Sequence, residues 1–204
     1  MPDYKMRPIS DDQSLRAYII GLSIGDGNLS NQSGTATKLR ISCDDKYPNL
    51  RNKIVTSLQS LLPKNKVGIV KRKGNCTDVY VHSNHLEPLL GWKARQGSKF
   101  SQNVTTPKWI RENDEYKIAY IRGLIETDGC IYHDRGYLMV MFTTIIKDLA
   151  LEAHEIINSL GFGSKFYAVN QKSNKYNFNR QNLYHVRLSK NVQSFLDLVK
   201  PNKS

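Results

Sequence analysis

The chain has 204 residues, 39% of them hydrophobic and 24% charged, and its 30 Lys and Arg against 18 Asp and Glu leave a formal charge of +12. That composition supports a packed core in one sizeable domain or two small ones, and it excludes a disordered chain. The longest nearly uncharged apolar stretch, 17–25, is too short for a membrane span, and the opening MPDYKMRP lacks an apolar signal-peptide core, so neither a membrane partner nor secretion is expected.

In chain order, a first helix is expected between the start signal Ser10-Asp11-Asp12 and the stop Asp26-Gly27. Strand-like pieces follow at 28–33 and 38–43, then a helix at 49–62, strands at 66–72 and 77–82, and a closing helix at 84–91. Residues 92–113, rich in Lys, Arg, Gly, Ser and Thr, read as a linker, flanked by Trp92 and Trp109 as core or docking residues. A second series then begins at Asn113-Asp114, with a helix ending at Asp128-Gly129, strands at 130–134 and 138–144, a helix at 148–160, strands at 164–171 and 182–188, and a closing helix at 190–199. Each half reads αββαββα, with boundaries at 1–91, 92–113 and 114–204.

The two series are copies. Ala17-Tyr18-Ile19-Ile20-Gly21-Leu22 matches Ala119-Tyr120-Ile121-Arg122-Gly123-Leu124 at an offset of 102, and Asp26-Gly27 matches Asp128-Gly129 at the same offset. Ile54, Val55, Ser57 and Leu58 hold that offset with Ile156, Ile157, Ser159 and Leu160, and it drifts to 106 where Ser83, Leu86 and Leu90 meet Ser189, Val192 and Leu196. An internal repeat of this kind fixes architecture before any motif is read.

The charge points to a partner. No basic run is longer than Lys71-Arg72-Lys73, so the positive charge belongs to a folded surface, for which a nucleic-acid backbone is the commonest ligand. Cys43, Cys76 and Cys130 include no CxxC pair, which argues against a disulfide framework or thiolate zinc site and for an intracellular, reducing compartment. The five histidines have no HxH or HExxH spacing, so none is assigned to metal.

Gly21 and Gly25 lie four apart on one helical face, as do Gly123 and Thr127 in the second copy. A mid-helix glycine costs about 1 kcal/mol relative to alanine, and close approach of another helix offsets that loss, so the two repeat-opening helices are expected to pack together. Their packing brings Asp26 and Asp128 side by side at negative helix ends, where each carboxylate repels the other and a cation is called for. Oxygen donors without histidine select Mg²⁺ over zinc.

Ile20-Gly21-Leu22-Ser23-Ile24-Gly25-Asp26-Gly27 and Arg122-Gly123-Leu124-Ile125-Glu126-Thr127-Asp128-Gly129 resemble the two motif copies of the single-chain LAGLIDADG homing endonucleases. The likeness covers almost the whole chain; Ser23, Gly25, Glu126 and Thr127 depart from the eponymous residues. It implies an α+β fold of two pseudo-symmetric αββαββα repeats, with antiparallel sheets facing DNA and the motif helices paired at the centre. It further implies a monomer that cuts both strands of a long duplex target across the minor groove and promotes intron homing. The metals would sit on Asp26 and Asp128 with the carbonyls of Gly25 and Thr127, as Mg²⁺, with Mn²⁺ or Ca²⁺ substituting for binding. Lys99, in Gln96-Gly97-Ser98-Lys99, stands where similar enzymes place a catalytic-pocket lysine, and Lys203 is its weaker symmetric candidate. Cys43 and Thr144 end strands where such enzymes often carry a polar, water-organising residue. The rival reading is a non-cleaving module on the same scaffold, either a maturase acting on intron RNA or a DNA-binding regulator.

Strand alternation then names the DNA contacts. Lys38, Arg40 and Ser42 share one face, and Lys71, Lys73, Tyr80, His82, Lys165, Tyr167, Gln171, Tyr184 and Arg187 are the further candidates for groove or phosphate contact.

Overall fold

Two copies of one unit make up the molecule, in a computed structural model that describes residues 7–32, 34–170 and 181–203. The first copy runs α1 (Gln13–Gly25), β1 (Gly27–Ser30), β2 (Thr37–Asp44), α2 (Pro48–Leu61), β3 (Val67–Lys71), β4 (Cys76–Ser83) and α3 (Leu86–Leu90). After a 3-10 helix, Lys108–Glu112, the second runs α4 (Asp114–Thr127), β5 (Gly129–Asp134), β6 (Tyr137–Thr144), α5 (Lys147–Ser159), β7 (Ser164–Val169), β8 (Leu183–Leu188) and α6 (Val192–Val199). Each copy builds a four-stranded antiparallel sheet with the same order, β1-β2-β4-β3 and β5-β6-β8-β7. The α+β class and the αββαββα order both hold.

The helix starts follow from capping. The Asp12 carboxylate accepts from the Leu15 N–H at 2.9 Å, and the Asn113 side chain accepts from the Glu115 N–H at 2.8 Å, each satisfying an orphan donor of the first turn. Both helices stop at an aspartate and pass straight into a strand. A Cβ on Gly27 or Gly129 would lie 2.3 Å from Ser23 O or 2.5 Å from Ile125 Cα, so only glycine permits that abrupt exit.

α1 and α4 pack against each other face to face at their glycines. A Cβ on Gly21 would come within 2.3 Å of Tyr120 O, and one on Gly123 within 2.5 Å of Tyr18 O, so backbone meets backbone there. Around this pair, Leu39, Ile41, Val79 and Val81 from one sheet pack with Leu50, Ile54, Leu58 and Leu61 of α2, and Val140, Phe142, Val186 and Leu188 from the other pack with Ala153, Ile156 and Phe195. Each such Val, Leu, Ile or Phe side chain contributes about 1.5–3 kcal/mol when fully buried.

Departures from expectation are local. β1 ends at Ser30, short of residue 33, because the chain turns where the Asn31 side chain accepts from the Gly34 N–H at 2.8 Å, with Gly34 at φ 77°. The last helix starts at Val192, two residues late, after Asn191 in a left-handed conformation at φ 53°. Residues 92–113 are more than a spacer, since Trp92, Val104 and Ile110 join the core and Trp109 packs edge-on against Tyr116 with centroids 5.5 Å apart. Among the described residues, no helix is long and apolar enough to cross a membrane.

Candidate metal and nucleic-acid site

Asp26 and Asp128 cap the adjoining C-terminal ends of α1 and α4. Desolvation pushes both carboxyls above the usual range. For Asp128, desolvation and then the nearby Asp26 charge raise it to about 6, against the opposing pull of Lys99 and Lys203. For Asp26, desolvation outweighs Lys203 and Lys99. Asp26 nonetheless keeps an open side to solvent, beside a 210 Å³ cavity bounded by Ser42, Cys43, Tyr47, Glu126 and Lys203.

Two lysines occupy the helix ends. Lys99 Nζ donates to Ser23 O at 3.3 Å, to Ile24 O at 2.5 Å and to Gly25 O. Lys203 Nζ donates to Thr127 O at 2.9 Å and to Gly129 O at 2.7 Å. Burial lowers both ammonium pKa values, opposed by the two aspartates. The cations that the paired helix ends call for are thus partly supplied by the chain itself. Each lysine feels both carboxylates.

Expectation ranked Lys203 behind Lys99, whereas the structure gives the two lysines equivalent places. The carbonyls of Gly25 and Thr127, expected as metal ligands, each accept a lysine ammonium. Among the described residues no group of three or more His, Cys, Asp or Glu side chains forms a metal cage. What exists is a carboxylate pair with carbonyl oxygens around it, a donor set for a hard cation that keeps much of its water. Cys43 is buried with its thiol pushed up to about 11 by burial and then by Asp26, and Thr144 Oγ1 accepts from the Ile146 N–H at 3.2 Å in the turn after β6.

On the first sheet, Lys38, Arg40 and Ser42 share the outer face and stand opposite His82, Tyr80 and Asp78. Lys38 Nζ lies 4.2 Å from the Tyr80 ring centroid, and the Tyr80 and His82 rings meet edge-on at 5.7 Å. Asp78 is held in this face by Ser42 at 2.8 Å, by Arg72, and by Arg40 at 3.7 Å. Lys71 is registered opposite Thr77, on the core-side alternation, where it pairs with Asp45 at the sheet edge; its neighbour Arg72 takes the outward place. Lys73 is exposed in the turn beyond β3.

The second sheet presents Lys165, Tyr167 and Arg187, with Arg187 donating to Tyr167 Oη at 3.2 Å and lying 5.3 Å from its ring centroid. Tyr184 stands opposite Thr144 and Ala168 on the core-side alternation and stacks on Phe166 at 5.9 Å, so it is not on the face of Arg187. His185, bonded to Thr143 Oγ1 at 2.8 Å, takes the outward place beside Tyr167. Gln171 lies outside the described residues. Arg40 Nε is buried and lies 3.7 Å from the Asp78 carboxylate, beyond hydrogen-bond distance, and Arg187 Nε is buried without a hydrogen-bond acceptor among the described residues.

Residues 115–200 match the family model of the LAGLIDADG-like domain. The chain is 24% identical over 179 residues to the ribonucleoside-diphosphate reductase NrdEB subunit alpha of Bacillus subtilis (strain 168), covering 77% of this chain and 15% of that protein. It is 26% identical over 184 residues to a DNA polymerase of Thermococcus sp. (strain GE8), covering 87% of this chain and 10% of that one. It therefore spans only a small part of the curated relatives it matches. Among solved structures, mesophilic variants of the homing endonuclease I-DmoI superpose with a TM-score of 0.62 at 20% identity, over 92% of this chain and 95% of theirs. I-DmoI in complex with DNA and Mn gives 0.60 at 21% identity, over 94% and 97%. The N-terminal LAGLIDADG domain of DUF199/WhiA gives 0.61 at 9% identity, over 94% and 85%. At these identities the likeness is one of fold.

Proposed function

We propose that the chain, whose residues 115–200 match the LAGLIDADG-like domain and whose first half repeats that unit, is a LAGLIDADG protein acting as a site-specific, double-strand DNA endonuclease that works as a pseudo-symmetric monomer. The observation that carries the reading is the meeting of Asp26 and Asp128 at one point, with Lys99 and Lys203 beside them and a basic, aromatic sheet face in each half.

Asp26 and Asp128, with the carbonyls of Gly25 and Thr127, would hold divalent metal, Mg²⁺ by donor chemistry, with Mn²⁺ or Ca²⁺ serving for binding. Such a metal, when bound, polarises a phosphoryl oxygen and activates water. The pair fits it, because two carboxyls at adjoining helix ends with main-chain carbonyl oxygens beside them are an oxygen donor set for a hard cation. Lys99 and Lys203, each seated on the carbonyls at one helix end and within the field of both aspartates, would place positive charge where negative charge builds on the phosphate during hydrolysis. The outward residues Lys38, Arg40, Tyr80, Lys165 and Arg187 would position the duplex. The matches to short segments of a reductase subunit and a polymerase, proteins of unrelated chemistry, support an enzyme that spreads its own coding sequence, as in intron homing. A non-cleaving DNA- or RNA-binding role is favoured by one feature, the two ammonium groups that already stand in for cations at the helix ends.

A plasmid library challenged with the protein, with and without Mg²⁺, decides between these roles: linear product only with the metal is expected, and no cleavage under any divalent cation would leave the binding role. Affinity should also fall about a thousandfold between 50 and 200 mM salt if ~6 phosphates are neutralised, and a flat salt profile would remove the sheet faces from the interface.

A further inference from the structure

Glu126 is only 1% exposed, in the last turn of α4 on the side that meets α1, where the first copy carries Ile24. A carboxylate there is costly unless its oxygens are matched. Three donors match them: the Tyr18 hydroxyl from α1 at 2.5 Å, the Asn202 main-chain N–H at 2.6 Å and the Asn202 side-chain amide at 2.7 Å. Burial and the adjacent Glu126 raise the Tyr18 pKa, so its hydroxyl keeps the proton it donates.

Asn202 is the residue before Lys203. The segment 200–203 leaves α6 through Lys200 at φ 50° and has no regular structure of its own. Lys99 is held differently, in a turn closed by main-chain bonds from Gln102 N to Ser98 O at 3.1 Å and from Val104 N to Lys99 O at 3.1 Å. Among the described residues, no buried carboxylate takes part there. The repeat is therefore asymmetric in how it fixes its two lysines.

We propose that Glu126 is the positioning residue for Lys203: by gripping Asn202 through two hydrogen bonds it folds segment 200–203 back onto the end of α4 and sets the Lys203 ammonium beside Asp26 and Asp128. Because the third donor comes from α1, the grip is complete only when the two motif helices are packed. Its chemical consequence rests on the nuclease reading: Lys203 serves one strand and Lys99 the other, so loosening Lys203 turns a double-strand cutter into a nicking enzyme.

The test uses the whole chain with Glu126→Met, Glu126→Gln and Asn202→Ala. Methionine keeps the volume without the charge, a replacement that buried ionic sites commonly tolerate; glutamine keeps one acceptor oxygen. Exchange of the Asn202 amide hydrogen, followed by NMR, should accelerate about tenfold or more in Glu126→Met, and less in Glu126→Gln. On a target plasmid recovered with the wild type, Glu126→Met should accumulate nicked circles cut on a single strand, Glu126→Gln should recover part of the linear product, and Asn202→Ala should nick more weakly than Glu126→Met. Unchanged exchange in Glu126→Met overturns the proposal, as does equal slowing of both strands or unaltered linearisation. Should Glu126→Met fail to fold, Asn202→Ala decides by the same strand bias. A wild type that cuts nothing refutes the nuclease reading, and the exchange result alone then decides the positioning of the segment.

Discussion

Asp26→Asn and Asp128→Asn should each reduce Mg²⁺-dependent cleavage by at least about a hundredfold while leaving duplex binding in place. Asparagine preserves the shape of the helix stop but removes the charge that would hold a divalent cation. It also leaves Lys99 and Lys203 facing a single carboxylate, so the centre becomes more positive toward phosphate. Binding measured in Ca²⁺ should therefore be equal or tighter, and single-turnover cleavage in Mg²⁺ should collapse. Wild-type cleavage rates in both variants would remove these aspartates from the chemistry.

Gly21→Leu should destabilise the whole molecule, because both sheets are anchored to the helix pair it would force apart. The new Cβ alone would stand 2.3 Å from Tyr120 O and 3.2 Å from Gly123 Cα, and the partner in each case is backbone that cannot rotate away. Overpacking costs about 1–3 kcal/mol or more, and each kcal/mol lowers Tm by about 2–4 °C at this size. A fall in Tm of about 2–12 °C is expected from thermal unfolding. An unchanged Tm would mean that the helices do not meet at this glycine.

Much of this was legible in the sequence, because the repeat prints the architecture twice. The glycine spacing announced the helix pair, and the Asp-Gly stops announced the carboxylate pair. Where reading failed, the cause was period two applied without register. Tyr184 and Arg187 are an odd number of residues apart, so alternation already places them on opposite faces, and the pairing with Ala168 and Lys165 confirms it. Lys71 failed in the same way against Tyr80 and His82, and Arg72 was passed over. Lys203 was underrated because it follows the last regular element, although its offset of 104 from Lys99 lies between the 102 and 106 of the repeat. Glu126 was seen only as a departure from the motif; its meaning depends on Tyr18 and Asn202, which lie 108 and 76 residues away along the chain.

The contact at the foot of the helix pair gives the molecule a handedness of composition. Gly25 leaves room that Thr127 fills: a Cβ at position 25 would lie 2.0 Å from Thr127 Oγ1, itself fixed by donating to Gly123 O at 2.8 Å. Two copies of the first half would leave a void at this point, and two copies of the second would collide. The halves are thus fitted to each other at this point and not to copies of themselves.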